Sequence, residues 1–279
     1  MKRKLLGLLL LSMATSLWFF SAGNTSADHG GPHVTAAPLP TVYTCYDLEK
    51  GEDVKTDVTL ITKSYGKDAV QVRELVMLCE LSTMYPFGHG YVPAPPPVAD
   101  TAIFACYALR GGSNPNEPAI LTTPSFGSDA VVVGTSHLMC EAARKHVTNA
   151  AGATVTFGAV RNAIWQCFRL GKGDDPNQDV NLTNNNFGLE RVTVRTGIAM
   201  CEEGEKHRLI NGQWEVTGLA NGVAYECFRL ERGNDPQQVV VLETENFGRD
   251  EVVVRRASQV CQVAEKKPIL IGQITPVWP

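Results

Sequence analysis

The sequence predicts an all-β protein made of four tandem small β-modules, each linked by its own disulfide. Three observations predict this class: cysteines at one fixed spacing, aromatic and glycine residues that recur with them, and apolar residues that alternate with polar ones. Alternation with a period of two is typical of half-buried strands. The alternative architecture for the same modules is a four-bladed, propeller-like closed ring.

The eight cysteines form four pairs, and the members of every pair are 34 positions apart. The pairs are Cys45/Cys79, Cys106/Cys140, Cys167/Cys201 and Cys227/Cys261. Sequence alone does not choose among the pairings of eight cysteines, but pairing within each copy gives all four copies the same environment. We therefore predict four structural disulfides. The alternative, metal or redox chemistry, would need clustered ligands or a Cys-x-x-Cys motif, and the sequence has neither.

Other residues recur at fixed places around the cysteines. An aromatic residue precedes the first cysteine of each copy by two positions, at Tyr43, Phe104, Trp165 and Tyr225. An aromatic-glycine pair lies midway, at Tyr65-Gly66, Phe126-Gly127, Phe187-Gly188 and Phe247-Gly248. An acid follows each of these glycines by two positions, at Asp68, Asp129, Glu190 and Asp250. Glycine supplies the positive φ of a tight turn, and we expect the acid to accept hydrogen bonds from amides of that turn.

Each copy is expected to hold about four strands and little helix. The strand around the first cysteine is apolar on both faces, as in Trp165-x-Cys167 and Phe168-x-Leu170, which predicts a central strand covered on both sides. Alternating segments before and after the aromatic-glycine pair predict two further strands. A fourth is expected after the second cysteine.

Composition also suggests boundaries between segments. Three basic residues, an apolar run from Leu5 to Phe20 and small residues up to Ala27 predict a signal peptide at 1–27. The competing interpretation, an uncleaved anchor helix, is disfavoured because the run is shorter than the roughly 20 residues of a membrane span. The remaining segments are a disordered lead-in at 28–40, module 1 at 41–86, a proline-rich linker at 87–100, module 2 at 101–148, a connector at 149–162 with one strand at Thr154 to Phe157, module 3 at 163–221 and module 4 at 222–279.

The charge pattern restricts the partners of the mature chain. The formal net charge is −4, and removing a signal with three basic and no acidic residues takes it to −4 − 3 = −7. Nucleic acid and anionic membranes attract concentrated basic faces, and this sequence has none. We therefore expect no nucleic acid and, after signal removal, no membrane partner. The predicted location is secreted or periplasmic.

Residues with recognisable chemistry are few. The sequence has no nucleophile elbow, no phosphate-binding loop and no dinucleotide fingerprint, so we predict neither an enzyme nor a cofactor. His29 and His33, beside the predicted mature amino terminus, are candidates for a Cu²⁺ or Ni²⁺ site. Asp175, Asn177 and Asp179 have a spacing that suggests Ca²⁺ ligands, but module 4 does not preserve it.

The repeated unit resembles a known family, and the resemblance covers all four copies. Cys167-Phe168-x-Leu170, Phe187-Gly188, Val192-x-Val194 and Met200-Cys201 are similar to an uncharacterised paired-cysteine repeat-domain family of secreted bacterial proteins, a domain of unknown function. The proline that usually follows the second cysteine is replaced by Glu80, Glu141, Glu202 and Gln262. The resemblance implies an extracellular β-module and assigns no catalytic residue.

Together these features predict an exported, non-enzymatic repeat protein that acts as a structural or binding module outside the cytoplasm. Its partner would be a surface polymer or another secreted protein, because repeated stapled units add binding area without a new core. The alternatives are a secreted enzyme with a site between modules and a metal-handling protein that uses the amino-terminal histidines. We also expect quasi-independent modules, so that a fragment spanning residues 163–279 would fold.

Overall fold

The computed structural model describes residues 42–87, 102–158 and 162–269. These residues form fourteen strands and contain no helix, which confirms the all-β class. The predicted signal peptide, the lead-in with His29 and His33, and nearly all of the proline-rich linker lie outside the described residues.

Every module contributes three strands in the same chain order. The first strands are β1 (Val42–Glu49), β4 (Ile103–Arg110), β8 (Ile164–Gly171) and β12 (Ala224–Glu231). The second strands are β2 (Asp53–Thr62), β5 (Glu117–Thr123), β9 (Gln178–Asn184) and β13 (Gln238–Thr244). The third strands are β3 (Gly66–Pro86), β6 (Gly127–Thr148), β10 (Gly188–Ile210) and β14 (Gly248–Pro268). A fourth strand follows in module 2, β7 (Thr154–Phe157), where it was predicted, and in module 3, β11 (Gln213–Gly218).

The turn between the second and third strands is set by the aromatic-glycine pair. Gly66 has a φ of 69° and Gly127 a φ of 80°, values that an L side chain adopts only at a cost. A side-chain hydroxyl closes the turn in module 1, where Thr62 Oγ1 accepts a hydrogen bond from the Tyr65 amide at 3.2 Å. The predicted role of glycine here is confirmed.

First and third strands alternate around one closed ring. The hydrogen-bonded order is β1, β3, β4, β6, β8, β10, β12 and β14, and β14 pairs again with β1. Each first strand lies between two long strands, as its apolar faces predicted. The four disulfide-linked modules are confirmed. They are arranged in a closed ring, which the sequence analysis gave as the alternative architecture. Neighbouring modules are joined edge to edge by backbone hydrogen bonds, unlike the separate blades of a propeller.

Opposite modules are also paired, because the third strands are 21 to 23 residues long. The end of each third strand runs past the ring and pairs with the second strand of the module two positions away. These pairs are β3 with β9, β6 with β13, β10 with β2 and β14 with β5. A single module therefore leaves strand edges open that only its neighbours cover.

Candidate functional site

The disulfides lie together at the centre of the ring. Cys45–Cys79, Cys106–Cys140, Cys167–Cys201 and Cys227–Cys261 are bonded, which is the predicted pairing within modules. Neighbouring disulfides also touch, since Cys79 Sγ lies 3.8 Å from Cys106 Sγ and Cys45 Sγ 3.8 Å from Cys261 Sγ. Bonded sulfurs carry no hydrogen, so these are van der Waals contacts.

The repeated aromatic residues before the first cysteines stack in this centre. The Phe104 and Trp165 rings are stacked at 3.9 Å between centroids, Trp165 and Tyr225 are 4.5 Å apart, and Tyr43 meets Trp165 edge-on at 4.8 Å. Aromatic pairs at such distances stabilise a core beyond the area they bury. The axis of the ring is therefore filled by side chains rather than open to a ligand.

Buried ion pairs join successive modules. Lys145 pairs with Glu80, and both side chains are 0% exposed. Lys206 Nζ lies 2.8 Å from Glu141 Oε2, and Lys266 Nζ lies 3.5 Å from Glu202 Oε2. Each lysine comes from the module after the one that supplies the glutamate.

The aromatic residue of a third module covers each lysine. Lys145 Nζ lies 4.3 Å from the centre of the Phe187 ring, and Lys206 Nζ lies 4.8 Å from that of Phe247. Burial lowers the pKa of Lys145, while Glu80 opposes this change. A buried charge is tolerated only when it is paired in this way. These residues therefore hold three modules together at one point.

The fourth place in this pattern is uncharged. Gln262 occupies the position of the glutamates, directly after a second cysteine, and Met84 occupies the position of the lysines. Gln262 Nε2 donates a hydrogen bond to Ser125 Oγ at 2.8 Å. The sequence analysis noted the glutamates only as a departure from the family pattern and missed the pairs. The sequence did contain a signal for these pairs: the glutamate and the lysine are each replaced by an uncharged residue in one copy, at Gln262 and Met84.

The acids after the aromatic-glycine pairs act between modules, which corrects the expected role within their own turns. Asp68 Oδ1 accepts a hydrogen bond from the Ser113 amide at 2.9 Å, and Asp250 Oδ2 accepts one from the Glu52 amide at 2.7 Å. The acceptor and donor belong to successive modules. The acid lies on the third strand, beyond its own turn. The backbone amide of the aromatic residue in that turn already donates a hydrogen bond to a threonine hydroxyl, as Tyr65 does to Thr62. Burial raises the pKa of Asp250.

Three strongly exposed apolar side chains, Leu209, Trp214 and Val216, lie on the hairpin of β10 and β11. Trp214 is 63% exposed and stands opposite Leu209, which is 56% exposed. His207 and Thr59 continue the same sheet face, because His207 pairs with Thr59 across β10 and β2. Two open depressions of about 330 and 510 Å³ both contain Trp214, His207 and Thr59. We call Thr59, His207, Leu209 and Trp214 the Trp214 face.

The remaining candidates do not converge on a metal site. Asp179 accepts a hydrogen bond from Thr193 Oγ1 at 2.7 Å, and Asp175 lies 3.2 Å from Arg195 Nη2. These partners use the oxygens that the calcium hypothesis required, and within the described ranges no group of three metal-binding side chains is found. His137 on β6 is held by its Nδ1, which lies 3.1 Å from the Cys167 carbonyl oxygen. Burial lowers the pKa of His137 to about 4, and the charge of Arg169 adds to this effect.

Comparisons with protein-family models, with curated proteins and with solved structures found no match. The resemblance to the paired-cysteine repeat family therefore stays a prediction. Among the residues that the structure describes, no helix is long and apolar enough to cross a membrane. Four disulfides in one core are typical of proteins outside the reducing cytoplasm.

Proposed function

We propose that this chain is an exported, non-enzymatic binding protein, and that the stapled ring is a rigid support for the Trp214 face. The observation that carries the proposal is the exposure of Trp214 beside Leu209 on a hairpin of module 3. Large exposed apolar groups rimmed by polar ones mark interaction sites. A tryptophan side chain has only two torsions, so it supplies a large contact area with little loss of side-chain entropy on binding.

The partner that best fits this face is an uncharged polysaccharide. The apolar indole ring matches the C–H face of a sugar ring, and Thr59 and His207 can exchange hydrogen bonds with its hydroxyl groups. Charges of both signs lie around the depressions, with Asp57 at one and Lys67 at the other. A strongly charged polymer would gain little from such a rim. The open, flat shape suits a chain that continues past the site.

Co-sedimentation of the mature protein with three insoluble uncharged polysaccharides, β-1,3-glucan, cellulose and chitin, tests this proposal. We expect one of these polymers to bind the protein, Trp214→Ala to reduce the bound fraction at least about tenfold, and Trp214→Phe to retain part of it, since a buried aromatic anchor contributes about 2 kcal/mol or more. Val155→Ala is the matched control, because Val155 is also an exposed apolar side chain on a short hairpin strand. Binding that is unchanged in Trp214→Ala, or binding to none of the polymers, would contradict the proposal.

A further inference from the structure

Two acidic side chains, Asp129 and Glu226, meet in the interior of the protein. Glu226 lies on β12 directly before Cys227 and is 0% exposed, and neither of its carboxyl oxygens has a hydrogen-bond donor among the described residues. Asp129 lies on β6 and is 5% exposed. Its Oδ2 accepts a hydrogen bond from the Asp174 amide at 2.9 Å, while its Oδ1 has no donor in the same part of the chain.

The backbone of module 3 holds these carboxyl groups close together. A Cβ atom added to Gly197 would lie 2.9 Å from Glu226 Oε1 and 3.2 Å from Asp129 Oδ2. A Cβ atom added to Gly173 would lie 3.2 Å from the same Asp129 oxygen. The junction of modules 2, 3 and 4 therefore packs both oxygens against glycine backbone.

The equivalent place one module earlier shows how an amide makes this contact without a proton. Gln166 stands in module 3 where Glu226 stands in module 4, and Asp68 in module 1 corresponds to Asp129 in module 2. Gln166 Nε2 donates hydrogen bonds to Asp68 Oδ2 at 2.6 Å and to Ser136 Oγ at 2.9 Å. At the junction with Glu226, Gly197 stands where Ser136 stands one module earlier, so the serine hydroxyl is absent. Glu226 can donate the equivalent hydrogen bond to Asp129 only when its carboxyl group is protonated.

From this geometry we propose that Asp129 and Glu226 share one proton in the folded protein, and that the loss of this proton loosens the junction of modules 2, 3 and 4. The chain thereby carries a pH-sensitive contact at one of its four equivalent junctions, and the ring is held more firmly in acidic than in alkaline surroundings. The contact lies apart from the Trp214 face and does not depend on polysaccharide binding.

The surrounding groups favour the protonated form of Glu226. Burial is the main cause that raises its pKa to about 8, and the charges of Asp129 and Asp174 raise it further. The cross-strand neighbours of Glu226, Met200 on β10 and Gln262 on β14, carry no charge. Burial also raises the pKa of Asp129.

The direction of the pH effect follows from this raised pKa. The folded protein binds a proton that the unfolded chain releases near pH 4.5, the ordinary value for glutamate. The free energy of unfolding therefore falls as pH rises from about 4.5 to about 8, and this site causes no further change above that range.

Thermal unfolding of the mature protein between pH 5 and pH 9 tests the proposal with two reciprocal variants. In Glu226→Gln the amide reproduces the Gln166 contact without a proton, so its melting temperature should exceed that of the wild type by about 5 °C or more at pH 9 and by much less at pH 5. In Gln166→Glu a second acid pair with Asp68 is created, so the melting temperature should fall more steeply with pH than in the wild type. Buried lysines titrate in all three proteins, and their effect cancels in the differences.

Two outcomes would overturn the proposal. One is a difference between Glu226→Gln and the wild type that does not change with pH, which would show that Glu226 does not gain a proton on folding. The other is stabilisation of the wild type by millimolar Ca²⁺ at pH 8 that Glu226→Gln abolishes, which would show that the carboxyl groups hold a cation instead of a proton.

Discussion

The three junctions between successive modules differ from the junction that closes the ring. Glu80 and Lys145, and their equivalents at the next two junctions, form buried ion pairs. The closing junction joins module 4 to module 1 through β14 and β1, and there Gln262 and Met84 carry no charge. Buried ion pairs add little stability over apolar contacts but strongly penalise a wrong partner. We infer that this difference specifies the order of modules around the ring.

A mispaired ring shows why the difference matters. If module 3 closed on module 1, Glu202 would face Met84 and would lose the lysine that now lies 3.5 Å away. An uncompensated carboxylate in the interior is strongly destabilising. Gln262 is uncharged, so it can be buried opposite Met84 without leaving an unpaired charge. The closing junction is therefore distinguished by an uncharged Gln262 and Met84 at the place where the other junctions bury an ion pair.

The largest expected effect comes from breaking one charged junction. Lys145→Met leaves Glu80 buried without its lysine, and we expect the free energy of unfolding in urea to fall by about 3–5 kcal/mol. The matched control is the double variant Lys145→Met with Glu80→Gln, which copies the closing junction and should unfold within about 1 kcal/mol of the wild type. If the single and double variants were equally destabilised, the loss would reflect packing around Lys145 rather than an unpaired charge.

A smaller effect should follow when the closing junction is given the missing pair. Met84→Lys alone buries an unpaired ammonium group and should destabilise the protein by about 1–3 kcal/mol, whereas adding Gln262→Glu should restore most of that loss. A double-mutant cycle of urea unfolding measures this coupling. Their places in the repeat make Met84 equivalent to Lys145 and Gln262 equivalent to Glu80. A coupling energy near zero would contradict this equivalence.

The sequence was sufficient to predict the repeating unit but not its closure. The cysteine spacing predicted the disulfides, and the aromatic-glycine pair predicted the turn that Gly66 and its equivalents form. Those contacts join residues within one module, where local pattern and chain entropy decide the structure. The pairing of β3 with β9 joins modules two positions apart, and no local pattern encodes such a partner.

The Trp214 face was missed for a related reason. The sequence predicted burial of Trp165, which occupies the repeated aromatic position two residues before a first cysteine, but no repeated pattern includes Trp214. In the structure Trp165 is 1% exposed at the centre of the disulfides, while Trp214 stands on the edge strand β11. The exposure of Trp214 follows from the position of the hairpin outside the ring, which no local pattern encodes.

The central claim is that the four modules form one cooperative ring rather than separate units. Unfolding of a fragment that spans residues 163–279, compared with the full mature chain, tests it most directly. Without modules 1 and 2, β9 loses β3, β13 loses β6 and Lys206 loses Glu141. A closed ring predicts that circular dichroism in urea shows one sharp transition for the full chain and none for the fragment. A fragment that unfolds cooperatively, with both disulfides formed, would contradict the ring and support quasi-independent modules.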